Sequence, residues 1–176
     1  MTTQITSIFD LAGAHLYITI ACSVVLAGIL ITAAVVDIRT RNIPNIFVLL
    51  VLLLGIAASV LTAQGFAFPL SAPSLLERFA GAVIAFVPVF IIGNKMGGIG
   101  GGDIKLLTVL GFLFGIEEAI AMLVCTCIIG ACAGIVKLIA NWLKTESDTT
   151  FAYAPCIAAG ALITLALDLF FRLFTV

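Results

Sequence analysis

The feature that most limits the fold of this chain is the stretch 16–36, which contains no charged residue. As an α-helix rising ~1.5 Å per residue, it would be about 30 Å long, the thickness of the hydrocarbon core of a bilayer. Further apolar stretches follow it, and 63% of all residues are hydrophobic while only 10% are charged. The sequence therefore predicts an all-α, polytopic membrane protein whose surroundings are the lipid bilayer.

Polar and proline-containing segments divide the chain into about six predicted transmembrane helices. The first 15 residues contain neither Lys nor Arg, so we expect the first apolar stretch to stay in the protein rather than act as a cleavable signal peptide. Because the helices use nearly the whole length, we expect one domain over residues 1–176. The predicted helices are 16–36, 46–63, 79–92, 104–116, 119–139 and 151–167.

The distribution of positive charge predicts how the chain is oriented. With the N-terminus outside, only Arg78 and Arg172 lie at the outer ends of the helices, and the remaining six positive residues lie inside. His15 then lies outside, as an interfacial residue, whereas Asp37 and Asp103 lie at the cytoplasmic face. The inner positive residues are Arg39, Arg41, Lys95, Lys105, Lys137 and Lys144.

A glycine-rich segment, 97–102, directly precedes Asp103. One interpretation is a turn between two membrane helices, with Asp103 as the N-cap of the second. However, the rise from Asp103 to Glu117 is only about 21 Å, shorter than the hydrocarbon core. If Glu117 marks the outer boundary, Asp103 lies below the inner surface, and carboxylates in that position are usually functional.

Asp37 and Asp103 together are candidates for acid–base chemistry. Two adjacent carboxyl groups can share one proton, so that one activates water while the other donates a proton. The end of the first helix disfavours a charge on Asp37, and the start of the fourth favours one on Asp103. On this basis we expect Asp37 to hold the shared proton, although Arg39 and Arg41 oppose this.

Three segments resemble the type IV prepilin peptidases across essentially the whole chain. The first is Asp37 followed by Pro44 and Asn45, and the second is the Gly-x-Gly-Asp motif that ends at Asp103. The third is Tyr153-Ala154-Pro155-Cys156-Ile157-Ala158-Ala159-Gly160. The resemblance implies an aspartic endopeptidase of the inner membrane, with Asp37 and Asp103 as its catalytic pair. Its substrates would be prepilin-like membrane proteins whose basic leader is cleaved at the cytoplasmic face.

The sequence differs from the bifunctional members of that family, which carry paired C-x-x-C zinc ligands and also methylate the pilin. It therefore resembles the peptidase-only branch of tight-adherence (Flp) pilus systems, without an N-terminal zinc and methyltransferase domain. An archaeal preflagellin peptidase is a related alternative. A small transporter that uses the two aspartates as an ion path, or a non-catalytic assembly factor, is the rival from another class.

Several further residues have two interpretations each. Gly100, Gly102, Pro44 and Asn45 either shape the loops or contact the substrate, and Lys105 either binds substrate or anchors the helix at the interface. The five cysteines lack the spacing of a metal site, so we expect no metal and no cofactor. With a net charge of −1, the chain has no basic surface for nucleic acid. A homo-oligomer remains open.

Overall fold

The computed structural model describes residues 2–64, 73–96, 100–143 and 152–174, and within these ranges it contains six α-helices and no strand. The predicted all-α fold is confirmed. Five helices are long and apolar enough to cross a membrane; the exception is α4, with 14 residues. The helices are α1 (Thr2–Thr40), α2 (Asn45–Ala63), α3 (Leu75–Met96), α4 (Gly101–Phe114), α5 (Ile116–Leu143) and α6 (Ala154–Phe174).

Most helices extend beyond the predicted apolar stretches at one end or both, because a helix ends where a cap, glycine or proline stops it and not where the bilayer ends. Thus Glu77 lies in the first turn of α3, and Glu117 and Glu118 lie in the first turn of α5. The fourth is an exception at its end, since α4 stops at Phe114 and not at 116. Parts of three predicted connections lie outside the described residues. These are segments 65–72, 97–99 and 144–151, the last of which includes Lys144, Glu146 and Asp148.

The short helix α4 lies at the centre of the bundle, in contact with α2, α3, α5 and α6. Most of its apolar residues from the second turn onwards are almost completely buried, and they form one core cluster with residues of α1, α2 and α6. Since longer helices surround it, α4 can be shorter than the bilayer is thick without exposing its ends to lipid. The core side chains of α4 are Leu106, Leu107, Leu110, Leu113 and Phe114.

The surrounding helices turn large apolar side chains outward, as a bilayer requires. On α1, for example, Val24 is 65% exposed and Ile31 53%, and on α5 Leu138 is 70% exposed. Such an apolar surface would promote aggregation in water, whereas it is the surface expected of a protein surrounded by lipid.

Arg78 contradicts the sequence prediction. We expected a boundary charge at the outer surface, but its side chain is completely buried, with a relative exposure of 0%. The reason is the length of α4, whose last turn ends inside the bundle and places a backbone carbonyl group, that of Leu113, beside the guanidinium. Charge counting along the sequence cannot detect such a partner, because Leu113 is 35 residues away.

Candidate active site

Asp37 lies in the last turn of α1 and is buried, with 5% of its surface exposed. Its Oδ2 atom accepts a hydrogen bond of 3.2 Å from the backbone N–H of Ala154, the first residue of α6. The N-terminus of α6 therefore points at this carboxylate, and its dipole favours a negative charge there. This contact joins residues 117 positions apart in the chain.

Asp103 lies in the first turn of α4 and is also buried, with 8% exposed. The N-cap of the helix is Gly100, so the interpretation of Asp103 as the N-cap is wrong. Asp103 is the N3 residue instead, and its Oδ2 accepts the backbone N–H of Gly100 at 3.2 Å. Among the described residues, its other oxygen, Oδ1, is buried without a hydrogen-bond partner.

The fold brings the two aspartates close enough for the charge of Asp37 to act on Asp103. Two neighbouring buried carboxylates are costly to ionise together, so one shared proton is the stable arrangement. The helix ends read from the sequence predict that Asp37 holds this proton. The N-terminus of α6 also stabilises a charge on Asp37, so the helix ends no longer distinguish the two aspartates. The partnerless Oδ1 of Asp103 is the better position for a proton.

Two residues that the sequence reasoning had not placed in the site lie within electrostatic range of Asp103. They are Tyr153, immediately before α6, and Cys156 in its first turn. Both belong to the third segment that carries the family resemblance, and this was the only signal in the sequence that could have identified them. Cys156 is buried, and Tyr153 is partly buried.

The loop residues proposed from the sequence surround the pair in different ways. Gly102 is packed against Ile43, since a Cβ atom at position 102 would lie 3.1 Å from the Cβ of Ile43. A Cβ atom at Gly100 would lie 3.0 Å from Oδ2 of Asp103. Both glycines therefore leave room for the close approach that holds Asp103 in place, which favours the loop-shaping interpretation.

The other three proposed residues are exposed at the same end of the bundle. Pro44 is the N-cap of α2, and Asn45 is its first residue. The Nζ atom of Lys105 donates to Oδ1 of Asn45 at 3.5 Å, which links the starts of α4 and α2. The structure brings these side chains to the rim of the site, but not to the carboxylates.

The carboxyl groups of Asp37 and Asp103 can support acid–base chemistry. Two neighbouring buried carboxyl groups that share one proton can act as a general base and a general acid. No group of three or more His, Cys, Asp or Glu residues with metal-site geometry occurs in the described part of the chain. That the chain needs no metal stays a prediction.

The fold and the site define a polytopic membrane protein with a buried aspartate pair supplied by two different helices. The model of the type IV leader peptidase family matches residues 24–135, and the chain belongs to that family. This confirms the resemblance found in the sequence.

The chain is also similar to a Bacillus subtilis (strain 168) protein named prepilin leader peptidase/N-methyltransferase, with 33% identity over 142 residues. The alignment covers 80% of this chain and 53% of the relative, so the chain spans about half the length of that relative. No solved structure matches the chain.

Proposed function

We propose that this protein is an aspartic endopeptidase that cleaves the basic leader from prepilin-like precursors at the cytoplasmic face of the inner membrane. The observation that carries the proposal is the buried pair of Asp37 and Asp103, each fixed by a backbone N–H group. The family and the name of the relative support the substrate class.

In the proposed reaction, ionised Asp37 takes a proton from water as the water oxygen attacks the scissile carbonyl carbon. Asp103 donates its proton to the carbonyl oxygen, and a tetrahedral diol forms. When the diol collapses, Asp37 passes its proton to the amide nitrogen as the C–N bond breaks. Asp103 recovers a proton from one diol hydroxyl, so both groups return to their starting state and one water is consumed.

A small apolar cavity near the start of α4 has a lining suited to one apolar side chain of a substrate. It has a volume of about 220 Å³ and lies between α2, α3 and α4, with Lys105 at its edge. The lining residues are Val48, Phe86, Ile104, Lys105, Thr108 and Val109.

The test is cleavage of a prepilin-like protein by purified enzyme in detergent, without an ion gradient. Asp37→Asn and Asp103→Asn should each lower kcat by at least ~100-fold, because asparagine keeps the shape but cannot transfer the proton. The double variant should be scarcely worse than either single variant, since the two groups act as one unit. Mature and precursor forms are quantified on a gel.

Asp168→Asn is the matched control. Asp168 borders a separate cavity together with Glu117 and Glu118, at the opposite end of α6 from Ala154. This variant should process the precursor at the wild-type rate. Full processing by Asp37→Asn or by Asp103→Asn would refute the peptidase mechanism, and an ion-path role predicts no cleavage by the wild type.

A further inference from the structure

A charged side chain is buried in the bundle at the end opposite the aspartate pair. Arg78, in the first turn of α3, is completely buried in a helix that is apolar enough to span the membrane. A buried guanidinium is strongly unfavourable unless its charge and its donors have partners. The partners of the guanidinium therefore indicate the role of Arg78 in the fold.

Arg78 has partners on three other helices. Its Nη1 atom donates to the backbone carbonyl of Leu113, at the end of α4, at 2.6 Å, and Nη2 donates to Oγ1 of Thr62, near the end of α2, at 3.1 Å. Glu118, in the first turn of α5, supplies an opposite charge within electrostatic range. One side chain thus connects α3 to α2, α4 and α5.

The contact with Leu113 meets a need created by the length of α4. The last carbonyl groups of any helix have no partner within the helix, and they carry the negative end of its dipole. In a long membrane helix these groups reach water, but here Leu113, Phe114 and Gly115 are all buried. Gly115 has a φ of 85° and its N–H group bonds to Gly111, so the helix ends here and a buried cation next to it supplies a donor.

The two helices that are hydrogen-bonded to Arg78 have their opposite ends in or at the rim of the candidate site. α4 begins at Gly101 and carries Asp103 about 15 Å along its axis from Leu113. α2 begins at Asn45, which accepts the hydrogen bond from Lys105. A shift of α4 along its axis would move Asp103 relative to Asp37, which α6 holds independently.

We propose that Arg78 is a positioning residue, which sets the depth of α4 through Leu113 and Thr62 and thereby aligns Asp103 with Asp37. This inference rests on the proposed function. A displacement of ~1 Å at a reacting group can cost on the order of 100-fold in rate, so a contact at the far end of a rigid helix is sufficient to control catalysis.

The test compares kcat and KM, per folded molecule, for Arg78→Gln, Arg78→Lys and Thr62→Val. Arg78→Gln should lower kcat about tenfold or more while KM stays within about twofold, because substrate still binds but Asp103 is displaced. Arg78→Lys keeps the charge but offers one nitrogen in place of the two that contact Leu113 and Thr62, so it should recover part of kcat. Thr62→Val should likewise lower kcat while KM stays nearly unchanged, but the decrease in kcat should be smaller.

Ser59→Ala is the matched control for Thr62→Val. Both hydroxyls line the cavity of about 570 Å³ between α2 and α3. Each donates to its own helix, Ser59 to Gly55 and Thr62 to Ala58, but Thr62 alone of the two accepts a bond from Arg78 in the described contacts. Ser59→Ala should retain the wild-type kcat.

A purely structural role for Arg78 predicts less folded protein with a normal kcat for each folded molecule, and this result would overturn the inference. If Arg78→Gln does not fold, the comparison of Thr62→Val with Ser59→Ala decides, and equal kcat values for these two would overturn it as well. Wild type and Asp103→Asn belong in the same assay. A wild type that does not process the precursor refutes the proposed function, whereas unimpaired Arg78 and Thr62 variants in an active background refute only this inference.

Discussion

At the scale of single residues, the two aspartates are connected through the segment before α6. Tyr153 precedes Ala154, whose N–H group holds Asp37, and lies within electrostatic range of Asp103. Its ring lies directly against α5 at Gly130, where an added Cβ atom would be 2.8 Å from Cε2 of the ring. Tyr153 can therefore occupy this position only because Gly130 has no side chain, and the start of α6 depends on the same contact.

We expect Gly130→Ala to displace the ring or separate α5 from α6. Overpacking of this kind typically destabilises by ~1–3 kcal/mol, and the moved N-terminus of α6 should also lower kcat for precursor cleavage. Gly134→Ala, one turn further along α5, is the control, because nothing lies within 4 Å of its Cβ position. Thermal unfolding and cleavage are measured together, and wild-type values for Gly130→Ala would contradict the described packing.

At the scale of helices, α4 packs closely against α3 because the facing residues Gly81 and Gly111 have no side chains. Gly111 meets Gly81 so closely that a Cβ atom at position 111 would lie 2.5 Å from the carbonyl oxygen of Gly81 and 2.7 Å from the Cβ of Ala85. Small residues allow this approach between membrane helices. Next to it, the rings of Phe79 and Phe112 meet edge to face at 5.3 Å.

We expect Gly111→Ala to destabilise the folded protein by ~1–3 kcal/mol or more, because backbone atoms cannot move aside as a flexible side chain can. Gly28→Ala in α1 is the control, since its Cβ position has no neighbour within 4 Å. The midpoint of thermal unfolding in detergent measures both. Equal midpoints would show that α3 and α4 are further apart than described.

At the scale of the whole molecule, the predicted orientation depends on which positive residues lie at each end of the bundle. Arg78 was one of two positive residues assigned to the outer side, and it is not at the surface. By contrast, Arg39, Arg41, Lys95 and Lys105 are exposed at the end of the bundle assigned to the cytoplasm. The orientation itself stays a prediction.

We expect a cysteine introduced by Thr40→Cys to react with a membrane-impermeant maleimide only in permeabilised cells. Thr40 is exposed at the end of α1. Leu76→Cys, at the start of α3 and 79% exposed, is the matched position for the other side and should react in intact cells. Both are placed in a chain whose native cysteines are replaced by alanine. The reverse pattern would refute cytoplasmic cleavage.

The sequence by itself determined the class of fold, because bilayer thickness imposes a length on every apolar helix. It also singled out two aspartates as candidates, because lipid admits few charges. Asp37 and Asp103 stood out for that reason, as carboxylates next to apolar stretches. Only the tertiary structure decided what each charge contacts. The N-terminus of α6 beside Asp37 and the end of α4 beside Arg78 join residues 117 and 35 positions apart. The preferred ionisation of a buried group depends on such partners, and linear spacing does not contain them.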